Sequence, residues 1–167
     1  VTIAKRYASN PYIMGYEFLN EPMMPGVEPP CQGESGRGTA IADWTKHNNA
    51  PLLDLYKQIT KALRDAGDKK IMVAEAAYWG MNFNGMQTPW DANLVYAFHY
   101  YPSPTNAGFF GPGGNAGSSF QPVISQNIPI MCSETGNGGS AFANFMKTAN
   151  SGNPMSWAVW THKPGTL

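Results

Sequence analysis

The chain has 167 residues, 43% of them hydrophobic, and its 11 basic and 11 acidic residues leave no formal net charge. That balance suits a globular protein with a sizeable core, and without any run of like charge it argues against nucleic acid or an anionic membrane as a partner. No apolar run approaches the roughly 20 residues of a membrane span, and the two cysteines, Cys31 and Cys132, lack metal-ligand spacing.

In chain order, residues 2–9 read as the end of a helix leading into a first strand over 12–19. A loop rich in Pro and Gly follows through Gly38, with a short helix over 40–47. Residues 51–66 form an amphipathic pattern in which Leu52, Leu55, Tyr56, Ile59 and Leu63 share one face and Gly67 marks the end. Strands are expected over 71–75 and 94–100, helices over 118–126 and 141–149, and further strands over 130–133 and 155–160. Strands alternating with helices are the signature of βαβ units in a parallel sheet.

No repeat or linker interrupts the pattern, so residues 1–167 are expected to form one domain. The Gly-rich stretch 107–119 then reads as a loop at the functional face, where Phe109 and Phe110 either stack on a ligand or pin the loop to the rim. Cys132 lies in an apolar strand and reads as a buried free thiol, the other reading being a disulfide with Cys31.

Two phrases carry the chemistry. Gly15-Tyr16-Glu17-Phe18-Leu19-Asn20-Glu21-Pro22 and Pro129-Ile130-Met131-Cys132-Ser133-Glu134-Thr135-Gly136 are each an apolar run that ends in a carboxylate and breaks at Pro or Gly. This is how a buried parallel strand delivers an acid to the mouth of a barrel. Paired carboxyls are what glycoside hydrolysis requires: roughly 5 to 5.5 Å apart for retention, roughly 6.5 to 9.5 Å for inversion. Glu21 sits between an amide and a proline while Glu134 lies between Ser133 and Thr135, and unlike surroundings give like carboxyls unlike roles.

Other acids compete for those roles. Glu75 also ends a strand, and Glu17 lies four residues before Glu21, either deeper on the same face or turned out by a bulge. Glu17 reads as a structural acid paired within the barrel. His99 closes a strand beside Tyr100 and Tyr101, whereas His47 and His162 read as surface or loop residues without metal spacing. Aromatic residues make up 13% of the chain, which suits stacking on neutral sugar rings as well as filling a core.

Taken together, Asn20-Glu21-Pro22, His99-Tyr100-Tyr101, Ser133-Glu134-Thr135-Gly136 and Trp157-Ala158-Val159-Trp160 resemble glycoside hydrolase family 5, the cellulase family of clan A. The resemblance covers essentially the whole chain, but only the part of the family's barrel from its fourth strand to its eighth. It implies an α/β fold, a partial (β/α)8 TIM barrel of about five parallel strands with flanking helices, three N-terminal βα units being absent. A complete barrel takes about 250 residues. The family's Arg and His from those units have no counterpart here.

By position, the resemblance makes Glu21 the general acid/base and Glu134 the nucleophile. Asn20 would bind the sugar 2-hydroxyl, His99 would bind substrate near the cleavage point, and Tyr101 would hold the nucleophile ionised. Trp160 would floor the reacting subsite, and Trp79 would meet the sugar on the leaving-group side. The implied activity is retaining hydrolysis of β-1,4-glucan, with no metal or cofactor. Alternatives are a β-mannanase of the same clan, or a truncated carbohydrate-binding fragment with little or no turnover. Open barrel edges lead us to expect a homo-oligomer, and the expected location is secreted or periplasmic, with no signal visible in this chain.

Overall fold

Five short runs rich in β-branched, aromatic and other apolar residues pair as strands: β1 (Gly15–Glu17), β2 (Ile71–Glu75), β3 (Leu94–Tyr100), β4 (Ile130–Thr135) and β5 (Ser156–Val159). The computed structural model describes residues 1–23, 37–77, 80, 83–103, 122–136, 139–149 and 155–160, with backbone alone at 37–48, 148 and 149. All neighbouring strands are parallel and lie in chain order, β1-β2-β3-β4-β5. A sheet that advances one strand at a time without reversing has the topology of a (β/α)8 barrel, here part of one.

Helix α1 (Thr2–Tyr7) precedes the sheet, α2 (Arg37–Asp65) crosses from β1 to β2, and α3 (Gly139–Ala149) crosses from β4 to β5. The two helices expected over 40–47 and 51–66 are therefore one. Pro51 lies inside α2, where its missing N–H forgoes a single intrahelical bond without ending the helix. The helix closes on Gly67 at φ +84°, whose N–H donates to Arg64 O at 2.9 Å while Asp68 N–H donates to Leu63 O at 3.1 Å. That paired 5→2 and 6→1 bonding is a Schellman cap, and it needs a residue tolerant of the left-handed region.

β1 is shorter than the sequence suggests. Only Gly15, Tyr16 and Glu17 pair with Ile71, Met72 and Val73, and Phe18 N–H adds one bond to Val73 O at 3.2 Å. Tyr12 and Met14, apolar and therefore read as strand, lie exposed ahead of it.

The period-2 alternation of the strands divides the sheet into two chemical faces. Met72, Ala74, Leu94, Tyr96, Phe98, Tyr100 and Cys132 join the core with Leu52, Tyr56 and Leu63 of α2 and Phe145 of α3. Leu55, expected on that face of α2, is 42% exposed; buried Thr60 stands there instead and accepts Trp90 Nε1–H at 3.1 Å. Rings meet at 4.7 Å between Phe83 and Tyr96 and at 5.0 Å between Tyr100 and Phe145. Such pairs each add about 0.5–1.5 kcal/mol beyond burial.

The N-terminal ends of β2 and β3 are tied by Arg64, which binds both carboxylate oxygens of Asp91, at 3.0 and 2.6 Å, and donates to the Asp68 and Lys70 carbonyls. The Arg64 guanidinium holds the Asp91 carboxyl below the usual range. This end of the barrel carries stability, leaving the opposite end free for chemistry.

Among the described residues no further strand pairs with the outer edge of β1 or of β5, and Trp157 and Val159 of β5 are 40% and 39% exposed. Also among these residues, no helix is long and apolar enough to cross a membrane. Trp79, Cys31, Phe109, Phe110, His162 and the His47 side chain lie outside the described residues.

Candidate active site

The residues that alternate away from the helix-packed core converge at the C-terminal ends of the strands. His99, next to last in β3, has its side chain 4% exposed and faces three carboxylates. Its Nδ1 lies 2.8 Å from Glu21 Oε1, the geometry of a ring N–H donating to a carboxylate, and 3.6 Å from Glu134 Oε2. Its Nε2 lies 3.7 Å from Glu75 Oε1.

A β-bulge aims Glu134. Phe98 and His99 are consecutive on β3, but their partners on β4 are Cys132 and Glu134. Against β5 the register likewise runs Cys132↔Trp157 and then Thr135↔Val159, three steps of β4 against two. One extra residue at Ser133–Glu134 shifts the alternation there, so Glu134 lies opposite His99. The Tyr101 hydroxyl donates to Glu134 Oε1, and burial together with that carboxylate pushes the tyrosine pKa up.

Glu21 reaches the site by a different route. It stands beyond the end of β1 at φ +46°, a value uncommon for a residue with a side chain and worth about 1–3 kcal/mol of local strain. Its backbone N–H donates to Glu75 Oε2 at 2.7 Å. The Glu21 side chain is 34% exposed and that of Glu134 is 16% exposed. One oxygen from each, with a ring nitrogen of His99, lie within 4.8 Å of one another.

Glu75 is wholly buried at the end of β2. Burial pushes its carboxyl up to about 7, with Glu17 and Glu21 adding to the rise and the Glu21 N–H and His99 opposing it. Two residues of α2 hold this end of the strand. Tyr56 OH donates to the Glu75 carbonyl at 2.8 Å, and buried Asn49 accepts Ala77 N–H at 2.9 Å while donating to Asn84 O at 2.9 Å. Gly80 closes over the carboxyl at φ +69°; a Cβ there would fall 2.5 Å from Ala97 O and 3.0 Å from Glu75 Cγ.

Glu17, though exposed, places a carboxylate oxygen within 4.8 Å of ligand atoms of Glu75 and His99. It is thus turned toward the strand-end carboxylates. Both triads gather groups able to ligate a cation; within them His99 is bonded to Glu21, Glu134 accepts from Tyr101 and Glu75 accepts from the Glu21 amide.

The remaining expected site residues fall around this centre. Asn20 is exposed beside Glu21, and Trp160 is 56% exposed just past β5, its N–H donating to Thr135 O at 2.8 Å beside Glu134. Cys132 is a free buried thiol whose Sγ–H points to the Glu134 carbonyl at 3.4 Å; burial raises it to about 12. Sequence reasoning placed the acids, His99 and Tyr101 at strand ends, but missed the bulge, the Asn49 clamp and the Glu75 contact to the Glu21 amide.

The glycosyl hydrolase family 5 cellulase profile matches residues 1–165. The chain belongs to that family. Solved structures similar to this family 5 chain include a thermostable, halotolerant cellulase from an Icelandic hot-spring isolate, at TM-score 0.66 and 21% identity. A β-glucanase from Saccharophagus degradans aligns at 0.66 and 18%, and an endoglucanase from Thermotoga maritima at 0.62 and 18%. They cover 99%, 97% and 98% of this chain, which in turn spans 49%, 49% and 57% of theirs. The chain is thus about half their length. The Thermotoga maritima protein has been crystallised with cellobiose and with mannotriose. No curated protein matches the chain at significant similarity.

The Glu75 carboxyl gives a test of this geometry. An acid raised from 4.5 in the unfolded chain to about 7 in the fold binds protons more tightly when native, so its contribution favours folding at low pH. That contribution is lost as pH rises from about 4.5 to about 7, and it amounts to about 3 kcal/mol. Urea unfolding of wild type and Glu75→Gln across this window should show the variant gaining relative stability with pH. Parallel stability curves would refute the buried, charge-penalised carboxyl.

Proposed function

We propose that this family 5 chain is a retaining glycoside hydrolase acting on a β-1,4-linked glucan, with Glu134 as nucleophile and Glu21 as general acid/base. The observation that carries the reading is the closeness of the two carboxylates, one oxygen of Glu21 lying within 4.8 Å of one oxygen of Glu134. That closeness favours direct attack on the sugar over the wider gap in which inversion seats a water.

In the first step the Glu134 carboxylate attacks the anomeric carbon as Glu21 protonates the departing glycosidic oxygen. The C–O bond breaks and a glycosyl ester forms on Glu134. In the second step the Glu21 carboxylate takes a proton from water, whose oxygen attacks the same carbon and releases Glu134 as a carboxylate. Tyr101 supports the nucleophile by donating to its ionised form, and His99 orients Glu21 through their hydrogen bond. Asn20, exposed beside Glu21, is assigned to the sugar 2-hydroxyl, and the exposed Trp160 ring to the floor of the reacting subsite. Trp79 is assigned to the leaving-group side.

A second reading, β-mannan hydrolysis, is favoured by the mannotriose complex of the Thermotoga maritima neighbour. Product analysis on cello- and manno-oligosaccharides of equal length separates the two. A third, a sugar-binding fragment with little turnover, predicts binding of cello-oligosaccharides with no difference in hydrolysis between wild type and Glu134→Gln. A polymeric substrate does not cross a membrane, so we assign the protein to the periplasm or the cell exterior. We also propose that a second copy of the chain covers the open edges at β1 and β5, whose exposed apolar residues include Met14, Trp157 and Val159.

Glu21→Gln and Glu134→Gln should each abolish hydrolysis with the fold intact. Azide should yield an inverted glycosyl azide with the nucleophile variant and a retained one with the acid/base variant. Near wild-type turnover in either would end the assignment. Tyr101→Phe removes the hydroxyl that donates to Glu134, so kcat should fall with the fold intact; unchanged turnover would separate the tyrosine from catalysis. For assembly, light scattering at micromolar concentration should give twice the 18.2 kDa chain mass, and a monodisperse monomer would exclude the second copy.

A further inference from the structure

The groups the mechanism leaves unused are concentrated behind Glu21. Its peptide sits at φ +46° beyond the last ladder bond of β1, so sheet pairing does not hold it there. A bond from its own N–H to the side chain of Glu75, 54 positions downstream, ties it to the sheet. Glu75 is itself fixed on every side: by its place in β2, by Tyr56 on its carbonyl, and by Gly80 packed at its Cγ. Its second oxygen, Oε1, makes no hydrogen bond among the described residues and faces Nε2 of His99 at 3.7 Å.

We propose that Glu75 is a positioning residue for the acid/base: it anchors the peptide that presents the Glu21 carboxyl and faces the imidazole that binds that carboxyl. The inference rests on the assignment of Glu21 as acid/base. The two connections reach the same carboxyl from opposite ends, one through the main chain and one through the His99 ring. A buried, rigidly held carboxylate is suited to this task because it can accept the N–H without bringing in water, and a misplacement of the reacting group by an ångström is costly in rate.

The charged and titratable groups around it define the electrostatics. Glu17 faces it from β1, Glu21 from the loop after β1, His99 from β3 and the Tyr56 hydroxyl from α2. Of these His99 alone can carry positive charge. Ionised Glu75 therefore strengthens its hold on the Glu21 amide, while protonated Glu75 keeps an acceptor and gives up the charge.

Two variants separate acceptor from charge. Glu75→Gln keeps an oxygen that can accept the Glu21 N–H; Glu75→Leu fills a similar volume with no acceptor. With cello-oligosaccharides, Glu75→Leu should lower kcat by about 100-fold with little change in KM, whereas Glu75→Gln should retain most of kcat and lose part of its pH dependence near neutrality. Equal loss in both variants, or loss in neither, would overturn the proposal.

The Glu21 amide resonance supplies a readout independent of turnover. In wild type it should move with the titration of Glu75, and in Glu75→Gln that movement should vanish. An amide that ignores Glu75 overturns the positioning role even where the enzyme is active, or where Glu75→Leu fails to fold. An amide that responds in a wild-type chain without hydrolytic activity upholds the anchor and refutes the catalytic reading of Glu21.

Discussion

A parallel sheet with helices on one side forces a division of labour among successive residues. On β3, Leu94, Tyr96, Phe98 and Tyr100 are committed to the core, so Ala97 and His99 must face the other way. Polar side chains that reach this second face at the strand ends are partly removed from water and must satisfy one another. His99 answers Glu21, Tyr101 answers Glu134, and Glu75 answers the Glu21 main chain. The strand-end cluster is thus the solution that the alternation of the strands leaves to the polar residues between the core positions.

Within that constraint the two acids become different in kind. Glu134 is delivered by a bulge inside a paired strand, where it pairs with His99 on β3 while Cys132 and Thr135 on either side of it pair with β5. Glu21 is delivered by a loop residue with strained φ, held by a side chain rather than a ladder. The roles proposed for them follow this difference: a nucleophile must attack along a set line, which suits Glu134 in its strand. An acid/base must serve first the leaving oxygen and then a water, and the more exposed position beyond β1 suits that exchange. Environment, and not residue type, separates their roles.

The same physics explains which parts of the fold could be read in advance. β2 and β3 were legible to the residue because Ile71–Glu75 and Leu94–Tyr100 are apolar runs bounded by turn signals. β1 was overextended because Tyr12 and Met14 look like strand residues but find no partner to bury them. Pro51 concealed the continuity of α2, since a proline reads as a boundary even when the surrounding helix absorbs it. The bulge left no trace, because Ile-Met-Cys-Ser-Glu-Thr contains no glycine or proline to announce it. The acids were visible as strand-end carboxylates, yet no local pattern records that a side chain at Glu75 accepts the amide of Glu21.

The chemistry and the covering of the barrel have different sources in this chain. Each acid is secured by contacts between β1, β2, β3 and β4 and the residues that follow them, all of which lie within one sheet. β5, by contrast, is exposed at Ser156, Trp157 and Val159, and the residue after it meets β4 through the bond from the Trp160 backbone N–H to Thr135 O at 2.8 Å. A change at the outer side of β5 therefore reaches Trp160 before it reaches Glu21 and Glu134. The spacing of those two carboxylates is set instead by the pairing of β3 with β4 and by the bond from the Glu21 amide to Glu75, both on the far side of β4 from β5.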